Sequence, residues 1–526
     1  MQLVTSISLI AQIYALGYME KDWSLGRFFG MMGFFEAALG GIAISDSLLL
    51  SYGLLEMLTL STYLLVGFWY AQPLVVTAAR DAFLTKRVGD IGLLMGLVAL
   101  SSYGTGLTFS ELKTWAATNP VSPLVATLIG LAVIGGPVGK CAQFPLHLWL
   151  DEAMEGPNPA SLMRNSIVVS AGAYVLIKLE PLFTLSNIAT SALIVTGVVT
   201  GIGASLVAIA QIDIKRTLSH STSAYLGLVF IAVGLQQPDI ALLLLLTHAV
   251  AKTVLFMSAG SVILTTNNQD ITEMGGLWSK MPATTFAFVV GSFGLIAMLP
   301  LGTFWAMERW IAIAETFPRW LLAILLTINA LSALNLTRVF RLVFLDEPQP
   351  KTKRAPEVAW PMALPMVGLT IFTLLVPILL QRQELLLNQN VGMVNSLGQV
   401  FSQPAILVLI LSGFLGCVLG TAIQLPRNWS RSVRVYWRFI QDLLAYDFYI
   451  DRIYDFTVVF AVVLSAKITS WVDRYIVDGI VNGIGLATIF SGQSLKYSAS
   501  GQSQFYVLTI VIGVVAIFAL MMNLAF

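Results

Sequence analysis

Ionisable side chains interrupt several long apolar runs of this 526-residue chain. Glu56 lies in the middle of LLSYGLLEMLTLSTYLLVGFWY, and Lys140 follows GGPVG at the end of another apolar run. A charge in hydrocarbon is costly, so each such residue is a candidate for function. Burial and a nearby opposite charge both change the proton affinity of a lysine or a carboxylate. These residues favour a proton relay, and a structural ion pair or a protonated acid is the alternative.

A histidine and a second lysine share the apolar run LLLLLTHAVAKTVLF. Because His248 and Lys252 are four positions apart, a helix places both on one face. A buried histidine can also be only a hydrogen-bonding residue of the core. The pair on one face favours a proton-carrying role.

Further charged residues close to the apolar runs are supporting candidates. Arg164 stays protonated, so it would act electrostatically, or its long side chain extends to the membrane surface. Glu308 and Arg309 would pair with each other or form an exit site. Lys215, together with its neighbour Arg216, is expected to set orientation and make contacts at a helix junction.

Acidic residues at two other positions have simpler expected roles. Asp90 in KRVGD is expected near the start of its membrane span, paired with Arg87 or Lys86. The carboxylates of Asp151, Glu152 and Glu155 are expected to form a solvated helix end.

The composition indicates which elements must position these side chains. The chain is 57% hydrophobic and 11% charged, whereas soluble domains carry roughly 25% charged residues. Recurring apolar runs of membrane-spanning length indicate an all-α polytopic membrane protein with about 14 transmembrane helices. The predicted spans are 1–17, 28–45, 46–70, 83–103, 121–150, 159–183, 187–210, 219–236, 238–264, 283–314, 319–345, 358–380, 403–424 and 503–525.

Two of the spans are predicted to be broken helices. Glycines and Pro137 precede Lys140 and should disrupt the helix there, because proline lacks an amide donor and clashes with the preceding turn. A similar segment, LPLGTFWAMER, covers Leu299–Arg309. The two segments are five spans apart, and an odd offset favours inverted repeats, a plan common in transporters.

The region from residue 446 to 495 carries charges at intervals among bulky apolar residues, which does not suit a buried span. It predicts a long lateral amphipathic helix along a membrane or protein surface. The alternative is two short interfacial helices joined by a loop, with a bend near Gly479, Gly483 and Gly485. Residues 381–402 are polar and predict a surface loop.

Charge and motifs exclude several classes of function. The net charge of +1 and the lack of a basic tract with interleaved aromatic residues argue against a nucleic-acid partner. Cys141 and Cys417 are the only cysteines, so a disulfide framework and a CxxC metal site are excluded. No nucleotide, flavin or iron–sulfur motif is present, so any redox chemistry would take place in another chain.

Lysine and arginine concentrate in loops that alternate along the chain, which predicts that those loops are cytoplasmic.

Several of these segments together resemble a known family. They are LLEMLTLSTYLLVGFWY, AFLTKRVGDIGLL, VGKCAQFPLHLWLDEAMEGPNPAS, DIKRTLSHST and THAVAKTVLFMSAGSVIL. The chain resembles the distal antiporter-like subunit of complex I, which includes bacterial NuoL and photosynthetic NdhF, and it is related to subunits of Mrp-type sodium/proton antiporters. Members have about 16 spans, so this chain is expected to begin at the third and to lack the family's start.

The resemblance implies a division of the chain into two antiporter-like repeats and a C-terminal extension. The expected parts are 1–27 (partial first span and loop), 28–183 (first repeat), 184–345 (second repeat), 346–445 (additional spans and loops), 446–500 (lateral helix) and 501–526 (anchor helix).

The resemblance also implies a setting and a proton path. The path would run through Glu56, Lys140 and Lys252, extended by His248 and the second broken helix. The expected partners are the other membrane subunits of an NDH-1 complex, including a neighbouring NdhD-type subunit and small membrane subunits. Plastoquinone and iron–sulfur clusters are expected in those partners, and no cofactor or metal is expected on this chain.

Three positions depart from the family pattern. Arg164 (or Asn165) stands where the family has a histidine, Leu244 replaces another histidine, and Met307 lies near the position of a family lysine. In this respect the chain resembles cyanobacterial NdhF paralogues associated with carbon dioxide uptake in the thylakoid membrane. In that form a peripheral, zinc-dependent, carbonic-anhydrase-like subunit hydrates carbon dioxide. The alternatives are a sodium/proton antiporter subunit and a non-pumping scaffold that docks such a subunit.

Overall fold

The structure is a computed structural model that describes residues 1–104, 106–118, 121–313, 316–382, 403–422 and 435–524. Within these ranges the regular structure is helical, with two isolated β-bridges, Ser47–Thr108 and Asp213–Asp270. Most of the polar loop predicted over 381–402 lies outside the described residues.

Among the described residues up to Arg382, seventeen α-helices are numbered in chain order. They are α1 (Gln2–Tyr18), α2 (Leu25–Ile44), α3 (Leu48–Val66), α4 (Pro73–Ser102), α5 (Phe109–Thr118), α6 (Pro123–Lys140), α7 (Trp149–Glu152), α8 (Asn158–Met163), α9 (Val169–Lys178), α10 (Glu180–Phe183), α11 (Asn187–Ala210), α12 (Ile214–Gly234), α13 (Pro238–Thr266), α14 (Pro282–Leu295), α15 (Gly302–Ala312), α16 (Arg319–Phe340) and α17 (Trp360–Arg382). Described helices beyond them include Pro404–Ala422, Val435–Ala445 and Ser503–Leu524.

The apolar helices confirm an all-α polytopic membrane protein. Among the described residues, 12 helices are long and apolar enough to cross a membrane. One of them, Asp447–Tyr497, has 51 residues, about 76 Å at 1.5 Å per residue, more than twice the roughly 30 Å of a hydrocarbon core. The others, together with α1, α4 and the pair α14–α15, correspond one for one to the predicted spans.

The first predicted break falls later than the sequence indicated. Helix α6 continues through its glycines and through Pro137, and it ends at Lys140. The Cys141 amide donates to the Pro137 carbonyl at 2.9 Å, which closes the last turn. Ala142 then adopts a left-handed φ of 50°. The lysine therefore lies at the end of the helix, where its side chain can turn into the bundle.

The second break lies between α14 and α15, at residues 296–301. The Ala297 amide donates to the Asn329 side chain at 2.9 Å, and the Thr303 hydroxyl donates to the Gly294 carbonyl at 2.7 Å. These bonds satisfy backbone groups that the break releases, as a non-helical segment at membrane depth requires. Glu308 and Arg309 lie within α15, beyond the break.

The C-terminal part of the chain forms a second compact unit, Tyr449–Phe526, after a first unit of Met1–Phe448. Its long helix includes single π-helical turns at Asp455–Val459 and Asp473–Val477. The helix runs without interruption through the glycines at 479–485, so the alternative of two short helices joined by a loop is wrong. Its lateral placement on a membrane remains a prediction.

Candidate functional site

Lys140 and Asp90 form a buried ion pair between α6 and α4. The Lys140 Nζ atom is 2.7 Å from Asp90 Oδ2, and the two side chains are 4% and 1% exposed. Lys140 also donates to the Leu55 carbonyl at 3.1 Å and to the Thr59 hydroxyl, both on α3. The Thr59 hydroxyl is 3.3 Å from Asp90 Oδ2. Three helices thus enclose one ammonium–carboxylate pair.

The predicted partners of Asp90 are wrong. Helix α4 begins at Pro73, ten residues before the predicted span, so Asp90 lies midway along it rather than near its start. Hydropathy misses the start of this helix because its first half includes four charged residues, Arg80, Asp81, Lys86 and Arg87. On α4, Asp90 faces α6 and its lysine instead of its own basic neighbours.

Glu56 pairs with Arg87 in a second, more accessible ion pair. Arg87 Nη1 is 2.5 Å from Glu56 Oε2, with side chains 41% and 18% exposed. The charges of Asp90 and Lys140 also act on Glu56. The four residues therefore form one coupled group in which each carboxylate has a cationic partner.

Lys86, named above only as a possible partner of Asp90, is a further functional candidate. It is buried on α4, where its Nζ donates to the Thr62 hydroxyl at 2.9 Å and lies 3.7 Å from the centre of the Trp149 ring. The Trp149 indole in turn donates to the Gly139 carbonyl at 2.8 Å. The spacing of Lys86 and Asp90, four residues apart on one helix, was the available signal.

Arg164 lies in a buried π-helical turn, Arg164–Val168, between α8 and α9. It is 1% exposed, so the alternative in which it extends to the membrane surface is wrong. One guanidinium nitrogen donates to the Ala153 carbonyl at 2.6 Å, while Nε and Nη2 have no hydrogen-bond partner among the described residues. Its charge acts on both Lys86 and Lys215.

The start of α12 holds Lys215 and Arg216 against the segment that follows α6. Asp213 caps this helix by accepting from the amides of Lys215 and Arg216. Lys215 is buried and donates to the Met154 carbonyl. Arg216 is 3.1 Å from carboxylate oxygens of both Asp151 and Glu155, so the expected solvated helix end is instead an ion-pair network.

His248 and Lys252 are both fully buried on α13. Lys252 donates to the Leu218 carbonyl of α12 at 2.7 Å and to the Ser221 hydroxyl. The His248 ring stacks on Tyr225, with centroids 5.0 Å apart, and neither of its nitrogens has a hydrogen-bond partner among the described residues. The alternative of a hydrogen-bonded core histidine is therefore not what the structure shows.

Hydroxyl groups tie α12 and α13 to the second break. The Tyr225 hydroxyl is 3.1 Å from that of Thr247 and 2.9 Å from that of Thr303. Glu308 and Arg309 lie farther along α15 and are half-buried, and within the described part of the chain they form no ion pair with each other. The predicted mutual pair is thus not formed.

The structure brings most of the predicted residues into one series. It leads from Glu56 and Asp90 through Lys140 and Lys86 to Arg164 and Lys215, with Lys252 and His248 reached across α12. No group of three or more histidine, cysteine, aspartate or glutamate residues in the described ranges could hold a metal ion.

The helices that hold these residues lie within a known family domain. Residues 45–332 match the model of the NADH:quinone oxidoreductase/Mrp antiporter transmembrane family, a stretch that runs from just before α3 into α16 and includes the whole series. The chain belongs to this family. Residues 1–29 match the N-terminal model of complex I chain 5. The resemblance inferred from the motifs is therefore confirmed.

Curated relatives extend the match over almost the whole chain. The chain is 55% identical to NAD(P)H-quinone oxidoreductase subunit 5, organellar chromatophore 2, of Paulinella chromatophora, over 99% of this chain and 82% of the relative. It is 31% identical to the chloroplastic subunit 5 of Chaetosphaeridium globosum (97% and 82% covered) and 32% identical to that of Nephroselmis olivacea (97% and 83%). It is thus an antiporter-like membrane subunit similar to subunit 5 of NAD(P)H-quinone oxidoreductases.

Proposed function

We propose that this chain is the proton-translocating distal subunit of a photosynthetic NDH-1 complex, a relative of complex I that oxidises a reduced carrier with plastoquinone. The observation that supports this most strongly is the buried Lys140–Asp90 pair, adjoined by the Glu56–Arg87 pair. A buried charged pair costs free energy, because both ions lose their hydration. Such pairs are rare inside membrane spans and usually mark a functional site.

The two ion pairs suggest how a proton could be taken up and released. A carboxylate beside a buried ammonium stabilises the protonated lysine, and losing that neighbour favours the neutral amine. Glu56 and Asp90 act on the same lysine, so a change in the Glu56–Arg87 pair alters the balance at Lys140. Lys140 would then accept or release a proton in response to a charge that approaches Glu56.

Beyond Lys140 the path would continue through buried cations to the second half of the family domain. Arg164, which keeps its proton, would act on Lys86 and Lys215 by its charge alone. Lys252 and His248 would carry the proton further, towards the second break and Glu308 and Arg309. Buried polar atoms without a protein partner, such as those of His248 and Arg164, are positions where ordered water is expected to bind.

Within such a complex, the chain would contact an NdhD-type neighbour and small membrane subunits in a thylakoid membrane. Residues 28–183 and 184–345 would be its two inverted repeats, each with a broken helix. The long C-terminal helix, whose large apolar side chains are exposed along its length, would lie laterally on other subunits or on the membrane, and residues 501–526 would anchor it.

We further propose the carbon dioxide-uptake form of the complex, in which a zinc-dependent hydratase subunit docks and the membrane arm handles the released proton. Two observations support it. By the resemblance, Arg164 (or Asn165) and Leu244 stand where the family pattern has histidines, and Met307 lies near the position of a family lysine. Identity is 55% to the chromatophore relative numbered 2 and 27% to 32% to chloroplastic subunits, as expected of a distinct paralogue.

Lys140→Met tests the proton path in the assembled complex. Methionine keeps most of the side-chain volume but cannot carry a proton, so we expect proton translocation to fall at least tenfold while the complex still assembles. Translocation is measured by a pH-sensitive dye in membrane vesicles, and assembly by native gel electrophoresis. Lys113→Met, at an exposed lysine of α5, is the matched control and should pump normally.

Full pumping by Lys140→Met would remove this lysine from the mechanism and refute the proposed path. Dependence of the transport on sodium instead of protons would favour the Mrp-type antiporter. Normal hydratase docking with no proton transport in the parent complex would identify the chain as a scaffold.

A further inference from the structure

Two histidines lie outside the lysine–carboxylate series, and both are buried against carboxylates. His147, in the turn between α6 and α7, has its Nε2 atom 3.1 Å from Asp447 Oδ2. His220, in the second turn of α12, has its Nε2 atom 3.5 Å from Asp151 Oδ1. The charge of Asp447 also acts on His220, so the two pairs form one group, the histidine cluster (His147, His220, Asp151, Asp447).

The surroundings of His147 fit its protonated form. Its Nδ1 atom is 3.3 Å from the Pro145 carbonyl oxygen, while Nε2 faces the Asp447 carboxylate. Carbonyl and carboxylate oxygens only accept hydrogen bonds, and a neutral imidazole has a single N–H. An imidazolium ring carries an N–H at both nitrogens. It also balances the charge of the Asp447 carboxylate, which it meets as an ion contact rather than as a hydrogen bond.

The charged side chains that contact the cluster also favour protonated histidines. Among the ion pairs of the described residues, Asp151, Glu155 and Asp447 are opposed by the cation Arg216, which leaves two negative charges when both imidazoles are neutral. Protonation of both rings brings this total to zero. Farther out, Lys215 lies beside Asp213 on α12 and also acts on Glu155, and Arg80 of α4 is shared between Asp81 and Glu152. Arg164 acts on the cluster's surroundings through Lys215.

The backbone holds Asp447 in this position. Asp447, Phe448 and Tyr449 have φ values of 49°, 56° and 54°, three consecutive non-glycine residues in the left-handed region. Such conformations persist only where the surrounding structure enforces them, and they concentrate at functional sites. Just before them, the Gln211 side chain donates to the Ala445 carbonyl at 3.3 Å and ties this segment to the end of α11.

Helix α12 connects the cluster to the proposed proton path. His220 lies five residues after Lys215 and next to Ser221, whose hydroxyl accepts from Lys252. We propose that the histidine cluster is a proton-loading site between Lys215 and Lys252, where His147 and His220 hold protons that are exchanged with the path. This inference rests on the proposed function.

The step is a proton transfer without any redox change. An N–H bond of an imidazolium ring breaks, and an O–H bond forms on an acceptor water. The products are a neutral imidazole and a hydronium ion, from which a neutral lysine amine on the path takes the proton.

Asp447→Asn in the full complex tests the site while leaving both histidines in place. Proton translocation per electron transferred is measured in membrane vesicles from about pH 5 to pH 8, the range in which histidine changes charge. Removing the carboxylate destabilises the imidazolium, so the midpoint of the pH profile should move to lower pH by about one unit, a tenfold loss of proton affinity. Asp81→Asn, at a partly exposed residue that pairs with Arg80, should leave the midpoint unchanged.

A second variant separates a proton site from a structural ion pair. His147→Lys keeps a positive charge beside Asp447 and does not titrate in this range, so the proposal expects an assembled complex with a flattened profile. If Asp447→Asn or His147→Lys shows the same pH profile as the parent complex, the proposal is overturned. If Asp447→Asn fails to assemble, Asp151→Asn replaces it. The midpoint is again expected to move to lower pH by about one unit, and an unchanged midpoint would overturn the proposal.

These results are distinguishable from failure of the proposed function. Normal pumping by Lys140→Met refutes the proton path as a whole. Loss of pumping in Lys140→Met combined with an unchanged profile in Asp447→Asn refutes the histidine cluster alone.

Discussion

At the scale of single residues, the two ion pairs near Lys140 differ in burial. Lys140 and Asp90 are almost completely buried, whereas Arg87 is 41% exposed beside Glu56. Removing one partner of a buried pair leaves an uncompensated charge and costs about 3–5 kcal/mol, while an exposed pair contributes at most about 1 kcal/mol. Loss of the carboxylate charge is therefore expected to cost less stability at Glu56 than at Asp90.

Asp90→Asn should consequently destabilise the subunit by about 3–5 kcal/mol, because the Lys140 ammonium loses its counter-charge. Glu56→Gln should change stability by about 1 kcal/mol or less. Both are expected to lower pumping. The amount of subunit that resists heating or proteolysis in purified complex measures the difference. Equal stability of the two variants would contradict the burial argument.

The sequence predicted the single residues better than their partners. Glu56, Lys140, His248 and Lys252 stand out because charged residues are rare in apolar runs. Their contacts depend on how helices pack, which hydropathy does not report. Lys86 was missed for this reason, since its environment is formed by Thr62 and Trp149 from other parts of the chain. His147 and Asp447 are 300 positions apart in sequence, and no local pattern indicates their contact.

At the scale of elements, the geometry of the Lys140 site depends on the close approach of α4 and α6. A Cβ atom added at Gly89 would lie 2.5 Å from the Gly135 carbonyl oxygen and 3.2 Å from the Gly139 Cα atom. Backbone atoms cannot move away as a flexible side chain can. The glycines of α6 that suggested a helix break thus serve helix packing instead, which is why the break was predicted too early.

Gly89→Ala should force α4 and α6 apart and displace Asp90 from Lys140. We expect pumping to fall several-fold, and assembly to weaken, although no ionisable residue is changed. Gly53→Ala on α3, where an added Cβ atom meets nothing within 4 Å, is the matched control. Normal pumping and assembly of Gly89→Ala would show that the close contact does not position the ion pair.

At the scale of the whole molecule, the positions of the spans were largely predictable, because apolar runs of membrane length are a strong signal. The continuity of the long C-terminal helix was not, since glycines weaken a helix by only about 1 kcal/mol each and its other residues favour it. Its side chains from residue 451 to 497 are almost all exposed. What covers them in a membrane complex is a property of the assembly.

Purification of the complex from cells with and without this chain tests the carbon dioxide-uptake form. We expect a zinc-dependent hydratase subunit to co-purify with the parent complex and to be lost when the chain is deleted, because the distal subunit would provide its docking surface. Identification of the subunits by mass spectrometry measures this. A complex that never contains a hydratase would leave ordinary NDH-1 proton translocation as the function.

The hydroxyl groups beside His248 can be counted hydrogen by hydrogen. Tyr225, Thr247 and Thr303 have three hydroxyl hydrogens, but four short contacts: Thr303 to the Gly294 carbonyl, Tyr225 to each threonine, and Thr247 to the Leu244 carbonyl at 3.1 Å. Because the Gly294 oxygen cannot donate, Thr303 gives its hydrogen to that oxygen and accepts from Tyr225. Thr247 then has one hydrogen for two neighbours, Tyr225 and the Leu244 carbonyl. The direction from Tyr225 through Thr303 is therefore fixed, and it ends at a backbone carbonyl, which has no proton to pass on. The imidazole of His248, which stacks on the Tyr225 ring, is a neighbouring group that can both accept and donate a proton.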